Sequence, residues 1–244
     1  MTGERTVPGI PAENYWFRRH EAAYEYAAPL VAGLRVLEVG CGEGYGTALL
    51  ADAAHTVVGV DYDALTVAHA ATTYPQARFV RGNLAALPFA SSSFEALVTL
   101  QVIEHVWNHR EFVRECRRVL HPGGILFVTT PNRLTFSPGL DAPVNPFHTH
   151  EFVATELAAL LRRNGFDDIR VLGLHAGPRL VDLDARYDGS FVAAQIARPP
   201  AEWPESLLGD VAQVGTADFV ISESGVVAAD ESLDLIVLAR RPLG

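Results

Sequence analysis

Residues 36–47 read VLEVGCGEGYGT, an apolar stretch that runs into four glycines, at 40, 42, 44 and 46, with one residue between each pair. A buried strand that ends in such a loop and opens a helix brings backbone N–H groups close to a ligand. Its surroundings repeat the same rhythm. Helical stretches are expected at 13–31, 45–54, 64–74, 109–120 and 154–165. Apolar strands are expected at 35–40, 55–63, 78–83, 94–100, 125–130, 168–174 and 233–241. Pro75 stops the third helix, His121 to Gly124 read as a turn, and Gly165 takes the position just past a helix end. In the 109–120 stretch, Phe112, Val113, Cys116, Val119 and Leu120 make one apolar stripe at helical spacing. Alternation of this kind predicts an α/β, Rossmann-like fold: a seven-stranded, mostly parallel sheet with helices on both faces. Residues 175–232 break the rhythm with turn-rich, mixed-charge sequence, and read as a cap or insertion before the last strand. The expectation is a single domain over 1–244, with an N-terminal helical segment at 1–34.

Composition removes several classes of function. The 29 acids against 19 arginines give a formal charge of −10, a field that repels phosphate backbones, so nucleic acid is not an expected partner. The two cysteines form no disulfide framework, which suits a reducing cytoplasm. The N-terminus has no signal-peptide pattern and no apolar run approaches membrane-spanning length, so neither secretion nor membrane insertion is expected.

The glycine spacing also bears on the ligand. A dinucleotide fingerprint starting at Gly40 needs glycine at 45, where Tyr45 stands, and no Gly-Lys-Ser/Thr of a P-loop follows. Glu38, just ahead of the loop, disfavours a pyrophosphate and tolerates an ammonium or sulfonium. Asp61 ends the second strand, 21 residues after Gly40, where an acid can accept both ribose hydroxyls. A nucleoside with a positive, phosphate-free tail meets these demands, and S-adenosylmethionine is such a molecule.

VLEVGCGEGYG, VVGVDYD, RGNLAALPF, FEALVTLQVIEHV and RVLHPGGILFVTTPN together resemble the ordered motif series of class I S-adenosylmethionine-dependent methyltransferases. The resemblance implies a site. Gly40, Gly42 and Gly44 would let the backbone pass close to the methionine part of the cofactor. Glu38 would sit near its amino group, Asp61 on the ribose and Tyr62 beside the adenine. Asn83 and Leu84 would meet the adenine edge and face, and Gln101 would lie near the sulfonium. The first helix offers Arg18, Arg19 and His20 as candidate cations for the cofactor carboxylate, Arg19 foremost, preceded by Tyr15 and Trp16.

A second tier of motifs, among them TGERTVP, ENYWFRRHEAAY, QVIEHVWN, NPFHTHE and GPRLVDLDARYDGS, is similar to mycobacterial methyltransferases associated with methylglucose lipopolysaccharides. That resemblance implies O-methylation of glucosyl residues, at the 6-hydroxyl, in an intracellular oligo- or polysaccharide. The alternatives are methylation of a lipophilic quinone or polyketide, and a non-catalytic scaffold of the same fold. A polar and aromatic cleft would suit the sugar; a wide, apolar one would suit the lipophile.

A sugar hydroxyl is a poor nucleophile and needs a general base, whereas a sulfonium leaving group needs no acid. Glu104 and His105 follow the fourth strand, and His105 is the expected base. His148 and His150 lie in the long loop after the fifth strand, spaced so that an extended chain would point both into the cleft. Two histidines alone are weak grounds for a metal, and no metal site is expected. Magnesium, used by some related sugar methyltransferases, favours carboxylates such as Asp182 and Asp184. Trp107 and Tyr187 are candidate platforms for sugar rings.

Overall fold

The computed structural model describes residues 6–222 and 229–243. The start of the TGERTVP motif, and 223–228 within the expected insertion, lie outside the described residues.

Eight strands form one sheet, in the order β3-β2-β1-β4-β5-β8-β6-β7. β1 (Arg35–Val39), β2 (Thr56–Asp61), β3 (Arg78–Arg81), β4 (Phe94–Leu100) and β5 (Leu120–Pro131) run parallel. β8 (Asp234–Arg240) inserts antiparallel between β5 and β6 (Asp167–Ala176). The sequence predicted seven strands. The eighth, β7 (Phe219–Ser222), lies inside the expected insertion and pairs antiparallel with the outer edge of β6. The expected turn at 121–124 is instead part of β5, whose pairing with β4 is irregular between Phe94 and Ala96.

Helices cover both faces of the sheet. On one side α4 (His109–Val119) and α6 (Ala154–Arg163) bury Phe112, Val113, Cys116, Leu157 and Leu161. The α4 stripe is the one the spacing predicts, and Asn108 caps the helix by accepting from Glu111 N at 3.1 Å. On the other side lie α1 (Asn14–Leu30), α2 (Tyr45–Ala51) and, from the insertion, α7 (Pro178–Arg186), α8 (Phe191–Ile196) and α9 (Glu205–Ala212). α3 (Ala64–Thr73) follows β2, its N-terminus capped by Asp63 on Leu65 N and Thr66 N. A short α5 (Arg133–Phe136) opens the loop after β5. The carboxyl ends of β1, β2, β4 and β5 thus meet at one edge of the sheet, where open α/β folds bind ligands.

Candidate active site

The loop after β1 is tied to β2. Gly40 N and Cys41 N both donate to Val60 O, at 2.8 and 3.1 Å, and Gly42 N donates to Asp61 Oδ2 at 3.0 Å. Gly40 has φ +80°, and a Cβ there would land on Val102, so the residue type is required twice over. Asp61 is buried, and its Oδ1 accepts from Asp63 N at 3.0 Å. Each carboxylate oxygen therefore holds one backbone donor, and a carboxylate oxygen can accept more than one hydrogen bond.

Above the loop lies a cleft of about 190 Å³. Of the residues expected to meet the cofactor, Gly40, Gly42, Asp61, Tyr62, Leu84 and Gln101 line it, as does His105. Gln101 is held at φ +54°, a strained conformation for a non-glycine residue, by Gln101 N to Thr129 O (3.0 Å) and Nε2 to Thr129 Oγ1 (3.2 Å). Of the first-helix cations offered for the carboxylate, His20 lines the cleft; Thr6, Tyr24 and Tyr45 also line it and were not singled out from the sequence. Burial holds the His20 imidazole down to about 4, so it is neutral near pH 7.

Three cofactor expectations need correction. Arg19 is not a free cation: its guanidinium grips Asp234 with Nε and Nη2, both at 2.7 Å, and Nη2 also donates to Leu233 O. The pair is buried and ties α1 to the start of β8. Tyr15 packs against Trp16, Phe191 and Phe219 and, like Arg19, borders the larger neighbouring cavity rather than the cleft. Glu38 lies beneath the loop, fully buried, accepting from Tyr24 Oη and Thr47 Oγ1. Burial raises its carboxyl to about 7, which the two hydrogen bonds only partly oppose. Asn83, expected at the adenine edge, is exposed beside the cleft residue Leu84, and its Oδ1 accepts from Ala85 N at 2.9 Å.

A second cavity, about 750 Å³, adjoins the first. Thr6, His20, Gln101 and His105 line both. Its walls are mostly apolar, with Trp16, Phe136, Phe147, Leu180, Phe191 and Ile196 prominent. Its polar end carries Glu104, His105, Asn145 and His148. Glu104 and His105 sit on a single 3-10 turn, Ile103–His105, directly after β4. The long loop is stitched onto that turn: Thr149 N and Thr149 Oγ1 donate to Glu104 O at 2.7 and 3.0 Å. This brings His148 to His105, with ring centroids 4.8 Å apart.

His105 Nδ1 meets Phe147 O at 3.0 Å, and His148 Nδ1 meets Glu151 Oε1 at 2.7 Å. Glu104 is 1% exposed; Oε2 accepts from Thr130 Oγ1 at 2.9 Å, and burial pushes the carboxyl up to about 8. The expectation for His150 is corrected. It pairs with Glu156 at 3.5 Å, packs on His109 and Phe152, and lines neither cavity. Trp107 points to solvent, and Tyr187 bonds Asp210; neither lines the cavities. Asp184 does border the second cavity, but one oxygen accepts from Phe191 N. Asp182 borders neither.

A family profile described as a methyltransferase domain matches residues 37–128, the segment from β1 to β5 that holds the loop, Asp61 and Gln101. The chain is 52% identical over 244 residues to a probable S-adenosylmethionine-dependent methyltransferase of Mycolicibacterium smegmatis, covering 99% of this chain and 95% of the relative. It is 32% identical over 176 residues to the mitochondrial ubiquinone biosynthesis O-methyltransferase of Mus musculus, covering 64% of this chain and 47% of that one. Among solved structures, a Thermotoga maritima S-adenosylmethionine-dependent methyltransferase, described as a possible histamine N-methyltransferase, superposes with a TM-score of 0.63 at 18% identity, with 93% of each chain covered.

Proposed function

The chain belongs to the class I S-adenosylmethionine-dependent methyltransferases, and from that premise we propose that it is an O-methyltransferase whose acceptor enters the larger cavity and presents a hydroxyl at Glu104, His105 and His148. The shared wall between the two cavities carries this reading. A cofactor seated over the glycine loop, with Asp61 on its ribose, would direct its methyl group toward Gln101. The acceptor would approach from the other side, as in-line displacement requires. The hydroxyl oxygen forms the O–CH3 bond, the S–CH3 bond breaks with its electron pair going to sulfur, and the hydroxyl proton leaves. His105 is the candidate to receive that proton; the contact of Nδ1 with Phe147 O, a group that can only accept, supports a ring proton on Nδ1 and Nε2 as the basic nitrogen.

The apolar walls favour an acceptor with a substantial apolar body, in line with the lipophilic class. The sugar reading, a glucosyl 6-hydroxyl of a methylglucose lipopolysaccharide, draws on the sequence resemblance and on the polar end of the same cavity. A glucan that already carries O-methyl groups presents both hydroxyls and apolar surface, and so meets both demands. The deciding experiment is transfer of a labelled methyl group to three acceptor sets: glucose oligomers, 6-O-methylated glucose oligomers, and hydroxylated lipophiles such as catechols with alkyl tails. Transfer to oxygen of the second or third set is expected. Transfer only to unmethylated short sugars would remove the apolar-body argument. Transfer to nitrogen or to no acceptor, with cofactor bound, would remove the O-methyltransferase reading.

A further inference from the structure

We propose that Glu104, His105 and His148 form a binding site for one divalent transition-metal ion, which holds an oxygen of the acceptor as a further ligand. One potential ligand atom from each residue lies within 4.8 Å of the others. A tetrahedral ion with bonds of about 2.1 Å spaces its ligands roughly 3.4 Å apart, so small side-chain rotations close the set.

Three observations point to a cation here. First, Glu104 Oε1 is buried and has no hydrogen-bond partner, and the nearest histidine nitrogen, His105 Nε2, is 4.0 Å away. A buried carboxyl oxygen left unpaired is costly whether the group is protonated or charged, and an ion that displaces the proton offsets that cost. Glu151, next to the cluster, is also buried with Oε2 unpartnered, and neither carboxylate has an arginine partner among the described residues.

Second, both imidazoles are oriented as metal ligands usually are. Each Nδ1 faces an acceptor, Phe147 O for His105 and the Glu151 carboxylate for His148. A carbonyl and a carboxylate can only accept, so each Nδ1 carries the ring proton and the Nε2 atoms are the nitrogens with ligand character. The lone pair of His148 now meets Asn145 Nδ2 at 3.1 Å, and the amide gives way to the ion. Third, the three ligands are held in advance. Two share one turn, and Thr149 bonds the third residue's loop to Glu104 O and Val106 O.

Two imidazole nitrogens and one carboxylate suit manganese, iron, cobalt or zinc better than magnesium. Three protein ligands leave positions open, as in catalytic rather than structural sites, and the open side faces the larger cavity. An ion there acts as a Lewis acid on the acceptor hydroxyl and lowers its pKa. The hydroxyl proton then passes to cavity water, and His105 holds the ion instead of taking the proton. The sequence expects no metal because it pairs His148 with His150, which the structure turns toward Glu156.

The inference rests on the O-methyltransferase reading for its role, not for its existence, so binding is measured apart from activity. Full-length protein stripped with chelator is titrated with cobalt(II), followed by visible absorption and calorimetry. One equivalent with a nitrogen-containing coordination spectrum is expected. Glu104→Gln and His148→Ala should abolish it, Glu151→Gln should weaken it about 10–100-fold, and His150→Ala should leave it unchanged. Binding of S-adenosylhomocysteine verifies that each variant is folded. No stoichiometric binding to wild type, or binding indifferent to Glu104→Gln and His148→Ala, overturns the site. Methyl transfer that survives chelation but dies in His105→Ala overturns the ion's role and returns the proton to His105. A bound ion in a protein that methylates nothing leaves the site standing and removes the acceptor reading alone.

Discussion

Asp61 offers the most direct test of how the cofactor is held. Its two carboxylate oxygens each accept one backbone N–H at 3.0 Å, from Gly42 and from Asp63, and a carboxylate oxygen can accept more than one donor. Ribose hydroxyls bonding to both oxygens would be charge-assisted, at about 1.5–3 kcal/mol each when one partner is deleted. Asp61→Ala removes both acceptors and also releases Gly42 N, so the loop loses one of its ties to β2. The expected loss is at least 1.5–3 kcal/mol, roughly a 10- to 150-fold rise in Kd for S-adenosylhomocysteine. Asp61→Asn keeps one acceptor oxygen and should fall between the two. Isothermal calorimetry measures all three proteins, and circular dichroism checks that the sheet is intact. An Asp61→Ala protein that is folded and binds with wild-type affinity would refute the reasoning, because neither the ribose contact nor the loop tie could then matter. An Asn variant as weak as Ala would locate the effect in charge rather than in acceptor geometry.

Other substitutions test other parts of the structure. His105→Ala should lower turnover by about 10²–10⁴ and leave S-adenosylhomocysteine affinity unchanged, although the residue borders the cofactor cleft; loss of cofactor binding instead would make His105 a cofactor-holding residue rather than one that acts on the acceptor. His150→Ala should change turnover and acceptor KM by less than about twofold, a size expected for a surface pair, and a dead variant would reverse the structural reassignment of this residue. Gly46→Ala puts a Cβ onto the Tyr24 ring and should destabilise the fold by about 1–3 kcal/mol in urea unfolding. Glu38 carries a pH signature: its folded carboxyl is raised by burial from 4.5 to about 7, so the stability linked to its proton is full below pH 4.5 and is lost as pH rises through 7. Glu38→Gln does not ionise, so its stability relative to wild type should climb by roughly 3 kcal/mol between pH 4.5 and 8, and parallel pH profiles for the two proteins would refute the shift.

The parts of the structure that the sequence made legible are those whose geometry is decided within a few residues. A strand that ends in glycine and opens a helix needs no distant partner to be recognised, so the loop at 40–46 and Asp61 at the end of β2 were readable. The stripe on α4 was readable for the same reason, since its spacing alone says which side is buried. β7 was not. Four residues, Phe219 to Ser222, form a strand only because β6 extends far enough to pair with them, and no local pattern announces that. The 121–124 stretch misled in the opposite direction, because turn residues were carried into β5 through an irregular junction with β4.

Charged and titratable side chains were harder, because what they do depends on which partner the topology delivers. Arg19 reads as a free cation on a helix until β8 brings Asp234 to it from 215 positions away. The two loop histidines show the same effect in reverse. Alternation would aim both into the cleft if the loop were extended, but His148 N closes a turn on Asn145 O at 3.1 Å, and Thr149 is anchored to Glu104 O. The chain therefore bends between them. His148 goes to Glu151 and the Glu104 turn, and His150 to Glu156. A spacing rule works only where the backbone state it assumes is present, and in this loop the anchoring group lies on another strand's end. The chemistry of the second cavity follows from that one tie. Without Thr149 on Glu104 O, His148 would have no reason to face His105, and the three ligands proposed for a metal would be two adjacent residues and a distant histidine.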